Sequence, residues 1–147
     1  MSPIPVLKIK VADTLLLRLR GLLCNKVFPR DYDGLLLSPC NGIHTFFMRF
    51  TIDIIFLDAS FRVIHLIDQI RPWTFSPIIR DAHHILELPS GFIKRHSIAI
   101  GDSFIRLEPS IANPTGHIFL GFDFLPALKC EDSQVSRRSL AGRTSGL

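Results

Sequence analysis

The sequence predicts a mainly β domain, α+β by count of elements, folded as a compact barrel-like sandwich with one N-terminal helix packed on it. Three observations carry this. From residue 35 onward, short apolar runs rich in Ile, Phe, Leu and Val follow one another, separated by Pro, Gly, Asp and Ser. Helical spacing is clear only near the N-terminal end. The chain has 147 residues, 47% hydrophobic and 20% charged, which suits one domain with its own core and no need of a disulfide or metal.

Residues 3–11 read as an extended segment, because Pro3 and Pro5 forbid a helix there. Asp13 and Thr14 then offer a cap, and Leu15, Leu19, Leu22 and Leu23 share one face, so a helix is expected at 13–23. Pro29 and residues 31–34 form a loop. Leu35–Leu37 is a short strand. Ile43–Asp58, rich in Phe, Ile and Thr, reads as one long strand. A turn at Asp58-Ala59-Ser60 returns it as Phe61–Ile70. Residues 71–81, with Pro72, Pro77 and the single Trp73, form a loop. Ala82–Leu88 is a further strand, and Pro89-Ser90-Gly91 opens a helical turn through His96. Gly101-Asp102 turns into the strand Ser103–Leu107. Residues 117–128 add one or two strands or a docked tail. The domain is expected over 1–128, with a polar, mobile tail at 129–147.

The net charge is +4. Residues 1–30 hold six cations (Lys8, Lys10, Arg18, Arg20, Lys26 and Arg30) against Asp13, so the excess sits at that end. The plain reading is a solvated face; the functional one is a face for an acidic partner, RNA or a membrane surface. Nucleic acid is not expected, since no aromatic-and-basic recognition motif occurs. Cys24, Cys40 and Cys130 form no CxxC pair, against a disulfide framework or zinc knuckle. No signal peptide and no apolar run long enough for a membrane span are read, so the expectation is a cytoplasmic protein.

Cys40, His44 and Met48 together suggest a soft-metal site. On a strand, residues four apart lie about 13 Å from each other, too far for one ion, so no metal and no cofactor are expected. Asp53 lies in the apolar run Ile52–Phe56. A buried carboxylate needs a partner, and strand alternation would put Asp53 on the face of Thr45, Phe47, Arg49 and Thr51, with Arg49 or Arg18 as its cation. It reads first as a structural ion pair or loop-fixing hydrogen bond, second as a ligand-binding or acid/base group. Glu87, between Leu86 and Leu88, reads the same way. The pair could serve a glycosidase, which requires carboxylates about 5–9.5 Å apart. Gly34, Gly91 and Gly101 suit turns or caps. Trp73 suits a pocket rim, an interface or a loop plug.

The pieces Arg18-Leu19-Arg20-Gly21-Leu22-Leu23, Gly34-Leu35-Leu36-Leu37, Thr45 to Asp58, Val63, Leu86-Glu87-Leu88-Pro89-Ser90-Gly91 and Ile100-Gly101-Asp102 occur in one order. In that order they resemble the R-x-x-G-L-M, G-M-L-F, F-W-M-K-N-T…L-D-I-x-F-I-D, V, L-E-L-x-A-G and V-G-D pieces of the family called domain of unknown function 192. The resemblance covers about residues 8–108. It implies a small, mostly β domain with a helix packed on it and no established role; many members look exported. This chain departs at Lys-Asn-Thr, which is Arg49-Phe50-Thr51 here.

The functional expectation is a non-enzymatic binding or accessory module, monomer or dimer, presenting a face to an unknown protein or small polar ligand. Arg18, Met48, Arg49, Asp53, Trp73 and Glu87 are its candidate residues. The alternative is a small carbohydrate-directed hydrolase with Asp53 and Glu87 as acid and base. No nucleophile elbow, P-loop, zinc-protease or dinucleotide motif is present.

Overall fold

In the computed structural model, residues 6–14, 22, 25–107 and 117–122 are described. Val6–Ala12 forms β1, exposing Lys8 and Lys10 while burying Leu7 and Ile9. It is followed by β2 (Gly34–Leu37), β3 (Ile52–Leu57), β4 (Val63–Ile70), β5 (His84–Pro89), α1 (Phe92–Arg95), β6 (Phe104–Leu107) and β7 (His117–Phe122). They build one curled sheet in the order β4-β3-β5-β2-β1-β7-β6. Only β1 and β2 run parallel; every other neighbouring pair is antiparallel.

The curl brings the two outermost strands together at one end. Arg62 bridges Ser103. The Val63 amide donates to Asp102 O at 2.8 Å, Gly101 N–H to Val63 O at 2.8 Å, and Phe104 N–H to Phe61 O at 2.9 Å. A sheet curled this far has an inside and an outside, and both are covered. Inside, Ile9, Leu36, Ile55, Leu57, Leu86 and Leu88 pack with Phe92 and Ile93 of α1. Outside, Leu35, Leu37, Ile52, Ile54, Phe56 and Ile85 pack under Tyr32, Met48 and Ala82 from the connecting loops. All six residues of β3 are therefore buried, which is why it reads as a continuous apolar run rather than an alternating one.

The long strand expected over Ile43–Asp58 is shorter: β3 begins at Ile52. Residues 43–51 form a loop whose apolar side chains Ile43, Met48 and Phe50 cover the outside of the sheet. Phe and Ile in such a cover have the composition of a strand without its pairing. Consequently Asp53 shares no strand face with Thr45, Phe47, Arg49 or Thr51.

The helix expected at 13–23 falls mostly on residues 15–21, 23 and 24, which lie outside the described residues; Asp13, Thr14 and Leu22 are not helical, and α1 is the helix among the described residues. The second half of the 117–128 segment, Arg18 and the 129–147 tail also lie outside the described residues. The turn of the β3–β4 hairpin, the returning strand β4, the helical turn after Gly91 and the β6 strand stand within a residue or two of where the sequence puts them.

Gly34 occupies the start of β2 for a packing reason rather than a turn. A Cβ there would meet Leu88 Cδ2 at 2.8 Å, Ile9 Cδ1 at 2.9 Å and the Glu87 carbonyl oxygen at 3.1 Å. Leu88 and Ile9 are fully buried and have little room to yield. Gly34→Ala should cost about 1–3 kcal/mol, as overpacking of a filled core does. Denaturant unfolding measures it, and an unchanged midpoint would show that the core can give way.

Candidate functional site

Two loops, residues 38–51 and 71–83, run side by side over the outside of the sheet. Thr45, only 1% exposed, joins them. Its hydroxyl donates to Arg71 O at 2.6 Å and accepts the Thr74 N–H at 3.0 Å. Its backbone N–H donates to Thr74 O at 2.8 Å, and its carbonyl accepts the Trp73 N–H at 2.9 Å. Ser76 repeats the pattern one step along: its hydroxyl accepts the Ile43 N–H at 2.9 Å, and its own N–H donates to Ile43 O at 2.9 Å. His44 and Phe75 form a bridge between these contacts.

This brace carries aromatic rings outward. Phe47 and Trp73 are each 61% exposed, Phe75 70% and Ile78 74%. Phe47 and Trp73 have ring centroids 4.8 Å apart; Phe46 lies 4.6 Å from Phe75 and 5.9 Å from Trp73, and His44 lies 5.1 Å from Phe46. Both Phe47 and Trp73 sit in the left-handed region, with φ of 64° and 60°. Such a backbone costs a non-glycine residue about 1–3 kcal/mol and persists only where the surroundings enforce it. Together these rings form an exposed apolar patch on strained, cross-braced backbone.

Met48, expected at the ligand, is buried beneath this platform in the outer core. Arg49 is exposed beside it, and Trp73 stands at its centre. Asp53 and Glu87 are elsewhere. In the β3–β5 register Asp53 faces Leu88 and Ile54 faces Glu87. Directly paired residues share a face and successive ones alternate, so the two carboxylates lie on opposite faces of the sheet. They do not form an acid/base pair on one pocket wall.

Asp53 is fully buried and structural. Its Oδ1 accepts the Gln69 N–H at 3.0 Å and its Oδ2 the Ile93 N–H at 2.8 Å. Gln69, with φ 54°, lies where the β3–β4 register slips. Ile93 is in the first turn of α1, whose capping residue, Gly91 with φ 86°, makes no side-chain cap bond. One carboxylate thus satisfies a bulge and a helix start. Its partners are backbone amides, not the cation expected from the sequence.

Glu87 is 4% exposed, and its Oε2 has no hydrogen-bond partner among the described residues. Burial lifts its carboxyl from 4.5 to about 8. Burial first, then the charges of Asp31 and Glu87, lifts the neighbouring Tyr32 phenol to about 12. The Cys40 thiol donates to Gly42 O at 3.2 Å. His44 packs against Phe46 and Phe75. Among the described residues no three of His, Cys, Asp and Glu gather as metal ligands, so Cys40 and His44 are not part of such a cluster. Ser38 Oγ and His84 Nδ1 share a hydrogen bond of 2.7 Å, and the His84 ring stacks on Phe61 at 4.4 Å. Burial and then His83 lower the His84 pKa. Sequence reasoning missed Phe47, Phe75 and Ile78. The usable signal was the recurrence of Phe-Phe and Trp-x-Phe in two loops.

A family model described as "Uncharacterized ACR", DUF192, matches residues 2–105. The chain belongs to the DUF192 family. It is 37% identical over 100 residues to a "UPF0127 protein" of Thermococcus sibiricus, covering 65% of this chain and 63% of that one. A "UPF0127 protein" of Pyrococcus furiosus is 35% identical over 107 residues, covering 69% of this chain and 86% of that one. The chain thus spans somewhat under two thirds of the length of the first relative. Its fold is similar to that of a protein of unknown function from Novosphingobium aromaticivorans, with a TM-score of 0.59 and 21% identity over 67% of this chain and 81% of that one. A Sinorhizobium meliloti protein described as a candidate transcription regulator gives a TM-score of 0.55 and 15% identity, covering 82% and 97%. At these identities the solved structures speak to fold alone. No described helix is long and apolar enough to cross a membrane.

Two predictions follow from the carboxylates. Asp53→Ala should cost about 3 kcal/mol, because it strands two amides in an apolar site; Asp53→Asn, which keeps an acceptor oxygen, should cost less. Equal stability of both variants and the parent in chemical denaturation would refute the bracket. For Glu87 the folded state holds a proton that the unfolded state releases between pH 4.5 and about 8. Stability therefore falls as pH rises through that window, with a slope approaching about 1.4 kcal/mol per pH unit. Glu87→Gln should flatten that slope, and an identical pH profile in the variant would contradict the buried neutral acid.

Proposed function

We propose that this chain is a non-catalytic binding module and that the Thr45-braced aromatic platform is its working face, open to a protein or a small polar ligand. The observation that carries this is the exposure of Phe47, Trp73 and Phe75 on backbone held rigid by the Thr45 hydroxyl. The fold gains little from rings left in water, and two of them stand on strained backbone. Interfaces concentrate their affinity in Trp, Phe, Met and Arg. The separation of Asp53 from Glu87 supports a module without paired-carboxylate catalysis.

The test removes the rings without disturbing the brace. Phe47→Ala, Trp73→Ala and Phe75→Ala should each change stability by no more than about 1 kcal/mol, since exposed side chains contribute little to folding. Native mass spectrometry of the purified parent should show a bound small ligand or co-purified partner protein that the combined variant has lost. A loss of several kcal/mol would mean the rings serve the fold, and an adduct kept by the combined variant would place binding elsewhere.

A further inference from the structure

We propose that the aromatic platform docks an acidic, apolar-rich segment of another protein, an assignment that rests on the platform being the binding face. The charge pattern selects this partner. Arg49, Arg71 and Arg80 are exposed on the same two loops as the rings, and Asp81 is the single acidic residue of those loops. Lys94 pairs with Asp68 on another part of the surface, and among the described residues no carboxylate is ion-paired with any of the three guanidiniums. Exposed rings on two loops that also carry exposed arginines match a chain that alternates apolar side chains with carboxylates. The rings bury the apolar groups, and arginine's planar fork receives carboxylates through two parallel hydrogen bonds.

The same features disfavour other occupants. A second copy docked face to face would oppose its own arginines. Single-stranded nucleic acid uses ring faces that lie open for successive bases. Here Phe46 and Phe75 are inclined at 73° and Phe47 and Trp73 at 57°, so neighbouring rings do not lie parallel as a platform for successive stacked bases.

Trp73 is the single tryptophan, so its emission reports on this site alone. The probes are a fluorescein-labelled synthetic peptide alternating Glu with Leu and Phe, its counterpart with Lys for Glu, and a labelled oligothymidylate. The full-length protein should bind the acidic peptide at least about tenfold more tightly than the Lys peptide, with a shift in Trp73 emission. Raising salt from about 50 to 300 mM should weaken that binding several-fold by screening. Trp73→Ala, followed by peptide anisotropy, should abolish it. Arg49→Glu, Arg71→Glu and Arg80→Glu together, all at exposed positions and checked for folding by circular dichroism, should turn the preference toward the Lys peptide. Equal binding of both peptides, lost in Trp73→Ala, would overturn the acidic partner while leaving the platform in place. Acidic-peptide binding untouched by Trp73→Ala would overturn both. Binding of neither peptide, or preference for the oligothymidylate, would overturn the proposal.

Discussion

The Asp53 carboxylate is the constraint on which the inner architecture depends. A strand that slips register leaves an amide unpaired, and a helical turn begun by glycine leaves its first amides uncapped. Asp53 accepts from both, at Gln69 and Ile93. It thereby fixes where β4 bends and where α1 sits against the inner core. Charged acceptors make the stronger hydrogen bonds, and two of them offset the cost of placing an ionisable group among Ile, Leu and Phe. The neighbouring Gly91 supplies the left-handed backbone that lets β5 turn into α1.

From that bracket follows the division of the sheet into two faces with separate tasks. The inner face closes on α1 and the edge contacts between β4 and β6. Among the described residues no second sheet covers the outer face. Loops cover it instead, with Tyr32, Met48, Ile43 and Phe50 as the roof. A roof built from loops must satisfy its own backbone groups. Thr45 and Ser76 do this by tying the two loops together side chain to backbone. The same bonds hold Phe47 and Trp73 in conformations they would not adopt alone, so the brace that shields the sheet also displays the rings.

Glu87 shows what the two-faced sheet does to ionisable groups. One residue of register separates it from the face of Asp53, and the consequence is opposite chemistry. Asp53 receives two amide donors. Glu87 has an oxygen with no described donor, and burial raises its carboxyl to about 8. Two carboxylates in similar apolar runs thus differ in role because strand alternation sends them to different surroundings.

The family, the mainly β class and most strand positions were legible from local pattern. The hairpin turn at Asp58-Ala59-Ser60, the Gly91 helix start and the apolar run of β3 are local signals, set by backbone sterics and side-chain type within a few residues. That Asp53 would be buried and need a partner was also legible, because a carboxylate in an apolar run must be paired or hydrogen-bonded. What Asp53 binds was not, since its amide partners lie 16 and 40 residues away. Nor was the loop at 43–51, because Phe and Ile are equally at home in a strand or in a roof over one. Of the platform only Trp73 stood out, for the same reason. Whether an aromatic ring faces water or the core is decided by the packing of distant segments, and that packing exists only in the folded chain.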